Sequence, residues 1–376
     1  MISSNPIERF PEGEPSGRFR AAYRVLNNAI ASRAFPGCSF GVLAGGRIAL
    51  CGALGRFTYE DSSPAVSPET VFDIASLTKV VATTAAVMLL FERGRIDLDS
   101  PLASWLPAFA EGREPADPAP GVTLRHLLAH NSGLPGYVEF FRTASTADQL
   151  LDACLKLPLE AAPGERAEYS DPGFILLGKA LEACAGEDLS SFTSREIHVP
   201  SGMSSTCFRP PAELRDFIPP TEDDVTFRRR RIQGEVQDEN ACLLGGVAGH
   251  AGLFSSTPNL LRFAAGILSA ADRSHPASGK GTLFSRKTVE QFAQHQPPMG
   301  SSRALGWDTP SENSSAGRHF SPRSIGHLGY SGCSLWIDLD ARIAAVLLTN
   351  RTWPDRSNEA IRQIRPAFHN ALREAL

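Results

Sequence analysis

Ser76-Leu77-Thr78-Lys79 places a serine three positions before a lysine at the start of an Ala-, Val- and Leu-rich stretch. Residues i and i+3 share a helix face, so the Lys79 amine is expected beside the Ser76 hydroxyl. A serine hydroxyl is a poor nucleophile until a neighbour takes its proton, and this spacing supplies that neighbour. Ser76 would also sit in the first helical turn, where unpaired N–H groups and the positive dipole end favour an oxyanion. The chemistry this pattern offers is acyl transfer through a covalent acyl-serine. The same four residues also occur at ordinary helix starts, so the reading needs partners elsewhere in the chain.

Two further segments supply candidates. Tyr169-Ser170-Asp171 follows Pro163-Gly164-Glu165-Arg166-Ala167-Glu168. A tyrosine near a Ser–Lys pair can pass protons to and from a leaving group. Its unperturbed pKa of about 10 is too high for a base at neutral pH, and a neighbouring ammonium such as Lys79 is expected to lower it. The alternative is a loop tyrosine ahead of a helix that begins near Pro172. His327-Leu328-Gly329 precedes Tyr330-Ser331-Gly332 and an apolar run from Ser334. A cationic or hydrogen-bonding His327 would help bind a substrate carboxylate or polar group. Gly329 would let a substrate lie against an edge strand, and the Tyr330 N–H would complete an oxyanion hole with that of Ser76. The alternative is a polar residue at a strand start.

The elements that must position these groups can be read coarsely. Residues 17–34 have helical spacing and stop at Pro36-Gly37. The runs 38–43 and 48–54 flank Gly45-Gly46 and predict a hairpin. Residues 74–93 predict a long apolar helix with Gly94 as its C-cap. Helices and loops fill most of 95–255, Thr257-Pro258 starts another helix, and 334–339 with 343–349 form a second hairpin. Residues 357–373 predict a closing helix. Strands at both chain ends and helices between them predict an α/β fold. One antiparallel sheet, flanked by helices, would draw on both ends, with an inserted helical lobe. The whole of 1–376 is read as a single catalytic domain, with an α/β lobe at about 1–74 and 256–376 and a helical lobe at about 75–255. A cleft between lobes is a favoured active-site position.

Composition excludes several alternatives. The chain has 376 residues, 42% of them apolar, with a net charge of −4, which is ordinary for a globular enzyme and offers nothing to a nucleic acid. Seven scattered cysteines make an odd number without a CxxC pair, which disfavours a disulfide framework and fits a reducing compartment. With no secretory signal pattern at the N-terminus and no apolar run expected to span a bilayer, the cytoplasm is the expected location and no membrane partner is expected. Gly173 to Lys179 reads G-x-x-x-x-G-K, but Ala180 follows where a phosphate-binding loop needs Ser or Thr, and no strand precedes it. Metal-binding and G-x-S-x-G patterns do not occur, so no cofactor is expected. Arg228 to Arg231 beside Glu222-Asp223-Asp224 reads as a solvated, locally paired loop or as a cationic cleft mouth. His130 and His250, both in glycine-rich loops, either pack those loops or touch substrate.

The order and separation of the three motifs resemble class C β-lactamases and the related DD-peptidases and penicillin-binding proteins. The resemblance covers roughly residues 20–372. It takes in Phe72-Asp73-Ile74-Ala75 before the serine, His130-Asn131-Ser132-Gly133-Leu134, Ser334 to Asp338 and Leu347 to Asn350. It implies that fold and a serine hydrolase with Ser76, Lys79 and Tyr169 as the catalytic set. Two departures stand out: Asp171 replaces the asparagine of class C enzymes, and His327-Leu328 replaces Lys-Thr. Gln237 to Ala241 and Gly245 to Phe254 resemble a subgroup that includes penicillin-binding protein 4B and N-acetylmuramoyl-alanine amidases. The expected substrate is therefore a small amide, ester or peptide, such as a cell-wall-derived muramoyl peptide. The alternatives are a short-chain carboxylesterase, a true β-lactamase or, outside enzymes, a peptidoglycan-fragment binding protein. An intact Ser76, Lys79 and Tyr169 set argues against the last.

Overall fold

The computed structural model describes residues 17–272 and 283–376, so the reading of the first residues as lacking a signal lies outside the described chain. Two hairpins form the backbone of the fold. β1 (Gly37–Ala44) and β2 (Arg47–Gly55) come from one end of the chain, and β3 (Ser324–Leu328), β4 (Ser334–Asp338) and β5 (Ile343–Thr349) from the other. They make one five-stranded sheet in the order β2-β1-β5-β4-β3. The pairing across the chain ends is antiparallel, from Cys38 opposite Thr349 to Ala44 opposite Ile343.

Every residue of β5 is buried, because the sheet is covered on both faces. Ala344, Val346 and Leu348 face one core, with Leu260, Leu261, Ala264 and Ile267 of the helix Thr257–Ala271. Ile343, Ala345 and Leu347 face a second core, with Leu26 of the helix Arg20–Ala31 and Phe368 and Leu372 of the helix Ile361–Glu374. The alternation follows from the two-residue period of a strand.

The helical lobe leaves and rejoins this layer at a small three-stranded sheet. Phe72–Asp73 pairs with Leu253–Ser255, which pairs in turn with Cys207–Phe208. The chain enters the lobe at Asp73 and returns at Phe254, directly opposite. The long helix after Asp73 is not uniform as expected. Ala75–Leu77 is a 3₁₀ turn, Lys79–Thr84 is wound as π-helix and Ala85–Glu92 is α-helical. A π segment is uncommon and occurs mainly at functional sites. Contrary to the expectation of no such run, Ala75–Glu92 is long and apolar enough to pass for a membrane span. In this fold Leu77 to Leu90 are buried inside the helical lobe against Phe174, Ile175 and Leu177.

Candidate active site

Ser76 lies at the floor of a cleft of about 1240 Å³ between the lobes. Tyr169, Asp171, Arg303, His327, Gly329 and Tyr330 also line it. The residue before the serine, Ala75, has φ +47°, a left-handed conformation that costs a residue with a Cβ about 1 kcal/mol or more. Thr78 Oγ1 donates to the Ala75 carbonyl at 2.6 Å and accepts the Leu253 N–H at 3.1 Å, which fixes this turn to the return strand.

Lys79 is fully buried. Its Nζ donates to Ser76 Oγ at 3.1 Å, to Asp171 Oδ1 at 2.6 Å and to the His250 carbonyl at 3.0 Å, so all three ammonium protons have acceptors. Burial disfavours the ammonium, but the Asp171 carboxylate and the Tyr169 hydroxyl outweigh it and hold the Lys79 pKa above its usual value. Asp171, expected among the substrate-binding residues, lines the cleft and places one carboxylate oxygen on Lys79 as its counter-ion.

The Tyr169 hydroxyl interacts with both Lys79 and Ser76, and the Lys79 ammonium lies 4.8 Å from the Tyr169 ring centroid. The expected lowering of its pKa does not prevail. Burial pushes the phenol up, Lys79 opposes it, and the net shift is upward. The segment is held by its neighbours. Ser170 Oγ accepts the Gly173 N–H to cap the helix Asp171–Ala185 and donates to the Pro135 carbonyl at 2.7 Å. The Ser170 N–H donates to His130 Nδ1 at 2.9 Å. The His130 ring is packed between Tyr169 and Phe174, with centroids 4.7 and 4.9 Å away. His130 therefore packs the loop behind Tyr169.

His250 is also buried. It contributes its carbonyl to Lys79 and its Nε2 to Asp238 Oδ1 at 2.9 Å. Burial works against the Asp238 carboxylate, but His250 and the Ala241 N–H hold its pKa down at about 2. One glycine of the G-x-x-x-x-G-K segment, Gly178, serves this arrangement. A Cβ on Gly178 would come within 2.9 Å of the Gly249 backbone, so glycine lets the helix Asp171–Ala185 approach the loop that presents His250.

On the other wall, a Cβ on Gly329 would lie 2.4 Å from the Ile74 carbonyl. Glycine there allows the Tyr330 loop to pack on the backbone before Ser76. The Tyr330 side chain is half-exposed and lies beside the Arg351 guanidinium, 4.4 Å from its ring centroid. Of the two roles expected for His327, cationic or hydrogen-bonding, its surroundings favour the neutral, hydrogen-bonding one. Burial, with the charges of Lys79 and Arg303 adding to it, lowers its pKa well below the usual value. Its Nδ1 is 2.8 Å from the Leu328 carbonyl, an acceptor, so Nδ1 must carry the ring proton.

The cation at this end of the cleft is one that sequence reading missed. The Arg303 guanidinium lies 5.4 Å from the Tyr169 ring centroid, and its ion pair with Asp308 is long at 3.8 Å. It belongs to no motif, and only the placement of β3 beside Tyr169 reveals it. The four-arginine run does not line the cleft. Arg228 pairs with Asp224, Arg230 with Glu235 and Arg231 with Asp223. Among the described residues no cluster of ligating side chains suited to a metal ion occurs.

Comparisons with known proteins agree with this geometry. N-acetylmuramyl-L-alanine amidase of Bacillus subtilis is 30% identical over 366 residues, covering 89% of this chain and 81% of that one. Two solved structures share the fold. EstCE1, a hydrolase with promiscuous acyltransferase activity, superposes with a TM-score of 0.73 at 22% identity over 94% of this chain and 98% of its own. The octameric penicillin-binding protein homologue from Pyrococcus abyssi does so with a TM-score of 0.69 at 20% identity over 91% and 76%. The beta-lactamase family model matches residues 22–367. With nearly the whole chain matched and the serine and lysine of its first motif in hydrogen-bond contact, this protein belongs to the beta-lactamase family of serine hydrolases.

Proposed function

We propose that this protein is an amidase that cleaves the bond between a muramoyl-type acyl group and the amino group of alanine or a short peptide. The observation that carries the reading is the Ser76–Lys79–Tyr169 contact set with Arg303 over the Tyr169 ring. The similarity to a muramyl-alanine amidase along most of both chains supports it. Ser76 Oγ attacks the acyl carbonyl carbon as its proton passes to the Lys79–Tyr169 pair, in the form of the pair that has already lost one proton to solvent. The backbone N–H groups of Ser76 and Tyr330 hold the oxyanion. The C–N bond breaks, the pair returns a proton to the leaving nitrogen, and water then releases the acyl group from Ser76. Each of Lys79 and Tyr169 acts on the other's charge state, so the proton is assigned to the pair and not to one member. Arg303, beside the proton donor, holds the carboxylate of the leaving amino acid; His327, being neutral, does not.

A cytoplasmic location goes with this reading. All seven cysteines are free thiols, which suits a reducing compartment, and recovery of muramoyl fragments there would use such an amidase.

The test is a hydrolysis panel on purified protein comparing muramoyl-L-alanine, a D-Ala-D-Ala peptide, a p-nitrophenyl ester and a chromogenic cephalosporin. Muramoyl-L-alanine is expected to give the highest kcat/KM. The cephalosporin is expected to acylate slowly, because a neutral His327 replaces the lysine of class C enzymes. Cephalosporin turnover at a kcat/KM of about 10⁶ M⁻¹s⁻¹ or more, within the range of efficient enzymes, would restore the β-lactamase reading. Preference for the simple ester over every amide would make the protein an esterase.

A further inference from the structure

Asp73 is 2% exposed, carries a carboxylate and is used by none of the chemistry above. Its three oxygens reach three different parts of the site. Oδ1 accepts the Ala75 N–H at 2.8 Å, on the left-handed residue that presents Ser76. Its main-chain oxygen accepts the Ser331 hydroxyl at 2.8 Å, on the loop that carries Tyr330. Oδ2 accepts the Gln237 N–H at 2.8 Å. Gln237 leads into Asp238, whose bond to His250 fixes the carbonyl that receives Lys79.

We propose that Asp73 is a positioning residue that sets the nucleophile, the second oxyanion donor and the lysine clamp in register through these three contacts. The inference rests on Ser76 as nucleophile and is independent of the muramoyl substrate. The physical argument is one of donors. Two backbone N–H groups point at the two carboxylate oxygens, and only an ionised carboxylate accepts at both without conflict. Asparagine would satisfy one N–H and turn its own amide N–H groups towards the other. Release of either donor lets Ala75 relax from its strained φ, which moves Ser76 relative to the Tyr330 N–H.

The charged groups facing the carboxylate are Asp238, on the segment after Gln237, and Arg228, which is bonded to the Val236 and Gln237 carbonyls. The Cys333 thiol lies against the Asp73 main-chain oxygen. Burial lifts the Asp73 pKa from its ordinary 3.8 to about 6, against the two N–H bonds. Protonation below that point removes one acceptor, so turnover is expected to fall as pH drops through about 6. The stability effect has the opposite sign. The folded pKa lies above the unfolded one, so this group adds stability as pH falls from its folded towards its unfolded value. An acid limb caused by Asp73 is therefore a loss of position and not of fold.

The experiment compares wild type, Asp73→Asn and Ser331→Ala. It measures kcat and KM on a p-nitrophenyl ester and the rate of Ser76 labelling by a fluorophosphonate from pH 5 to 8, with thermal unfolding at each pH. Asp73→Asn is expected to lower kcat and labelling rate about tenfold to a hundredfold, the scale of a small misplacement of reacting groups, with KM changed far less. Its acid limb near pH 6 should disappear, and its Tm relative to wild type should fall as pH is lowered. If Asp73→Asn does not fold, Ser331→Ala decides, since it removes only the hydroxyl link; slower labelling at unchanged KM supports the proposal. A wild type without an acid limb near 6, an Asp73→Asn chain that keeps it, or a Ser331→Ala chain as fast as wild type overturns the proposal. Label found at a residue other than Ser76 would instead sink the nucleophile itself.

Discussion

Ser76→Ala takes no label from a fluorophosphonate and loses turnover by about 10⁴-fold or more, as removal of a serine nucleophile does in other hydrolases. The expectation follows from geometry. Ser76 Oγ is the group at the cleft floor in contact with Lys79, and an alanine leaves the ammonium with its Asp171 and His250 acceptors. The fold should therefore persist, and thermal unfolding should stay close to wild type. Residual activity from the oxyanion donors and binding alone is expected to remain measurable. Mass spectrometry of the labelled wild-type chain locates the adduct. A label that persists on another serine in the variant ends the assignment of Ser76.

Lys79→Met and Tyr169→Phe are each expected to cost nearly as much turnover as the two together, because groups that act as a unit are strongly non-additive. Tyr169→Phe keeps the ring that packs against His130 and removes only the hydroxyl, so it should leave stability almost unchanged. Lys79→Met removes the cation from Asp171. The Asp171 side chain keeps 15% exposure, so the stability loss belongs at the low end of the about 3–5 kcal/mol that breaking a buried pair costs. The pH dependence has a definite sign. Lys79 pulls the Tyr169 pKa down against burial, so without it the phenol titrates higher still. The rise in rate with pH that Tyr169 sets, distinct from the limb near pH 6 assigned to Asp73, should then move to higher pH. A double-mutant cycle on turnover, with circular dichroism as the folding control, measures the coupling. If the two losses simply multiply, or Tyr169→Phe turns over like wild type, Tyr169 takes no part in proton transfer.

Parts of this site are readable in the sequence because they are local. Ser76 and Lys79 meet through helix geometry, and the hairpins declare themselves through glycine turns and β-prone runs. Tyr169 and the His327–Tyr330 segment become meaningful only through their order along the chain and the family it resembles. What remains illegible depends on burial or on distant contact. Asp171 stands 92 residues from Lys79, and nothing in Tyr-Ser-Asp distinguishes a counter-ion from a substrate ligand. Burial, with Lys79 and Arg303 around it, favours the neutral form of His327, whereas its residue type alone left a cation and a neutral hydrogen-bonding group both open. The Gly173 to Lys179 pattern shows the converse. Its glycine spacing is real, but Gly178 serves backbone approach to Gly249.

Cys38 pairs with Thr349, so the inner strand β1 waits for a partner more than 300 residues downstream. During synthesis the β1–β2 hairpin exists long before β5, and one edge of β1 stays open throughout. Open edges of this kind are where chains associate wrongly, and long-range pairing is slow to form. Tyr330 arrives on the same late segment, so the oxyanion donor proposed for it reaches Ser76 only as the sheet closes. One event, the docking of residues 324–349 onto β1, therefore completes both the sheet and the proposed site.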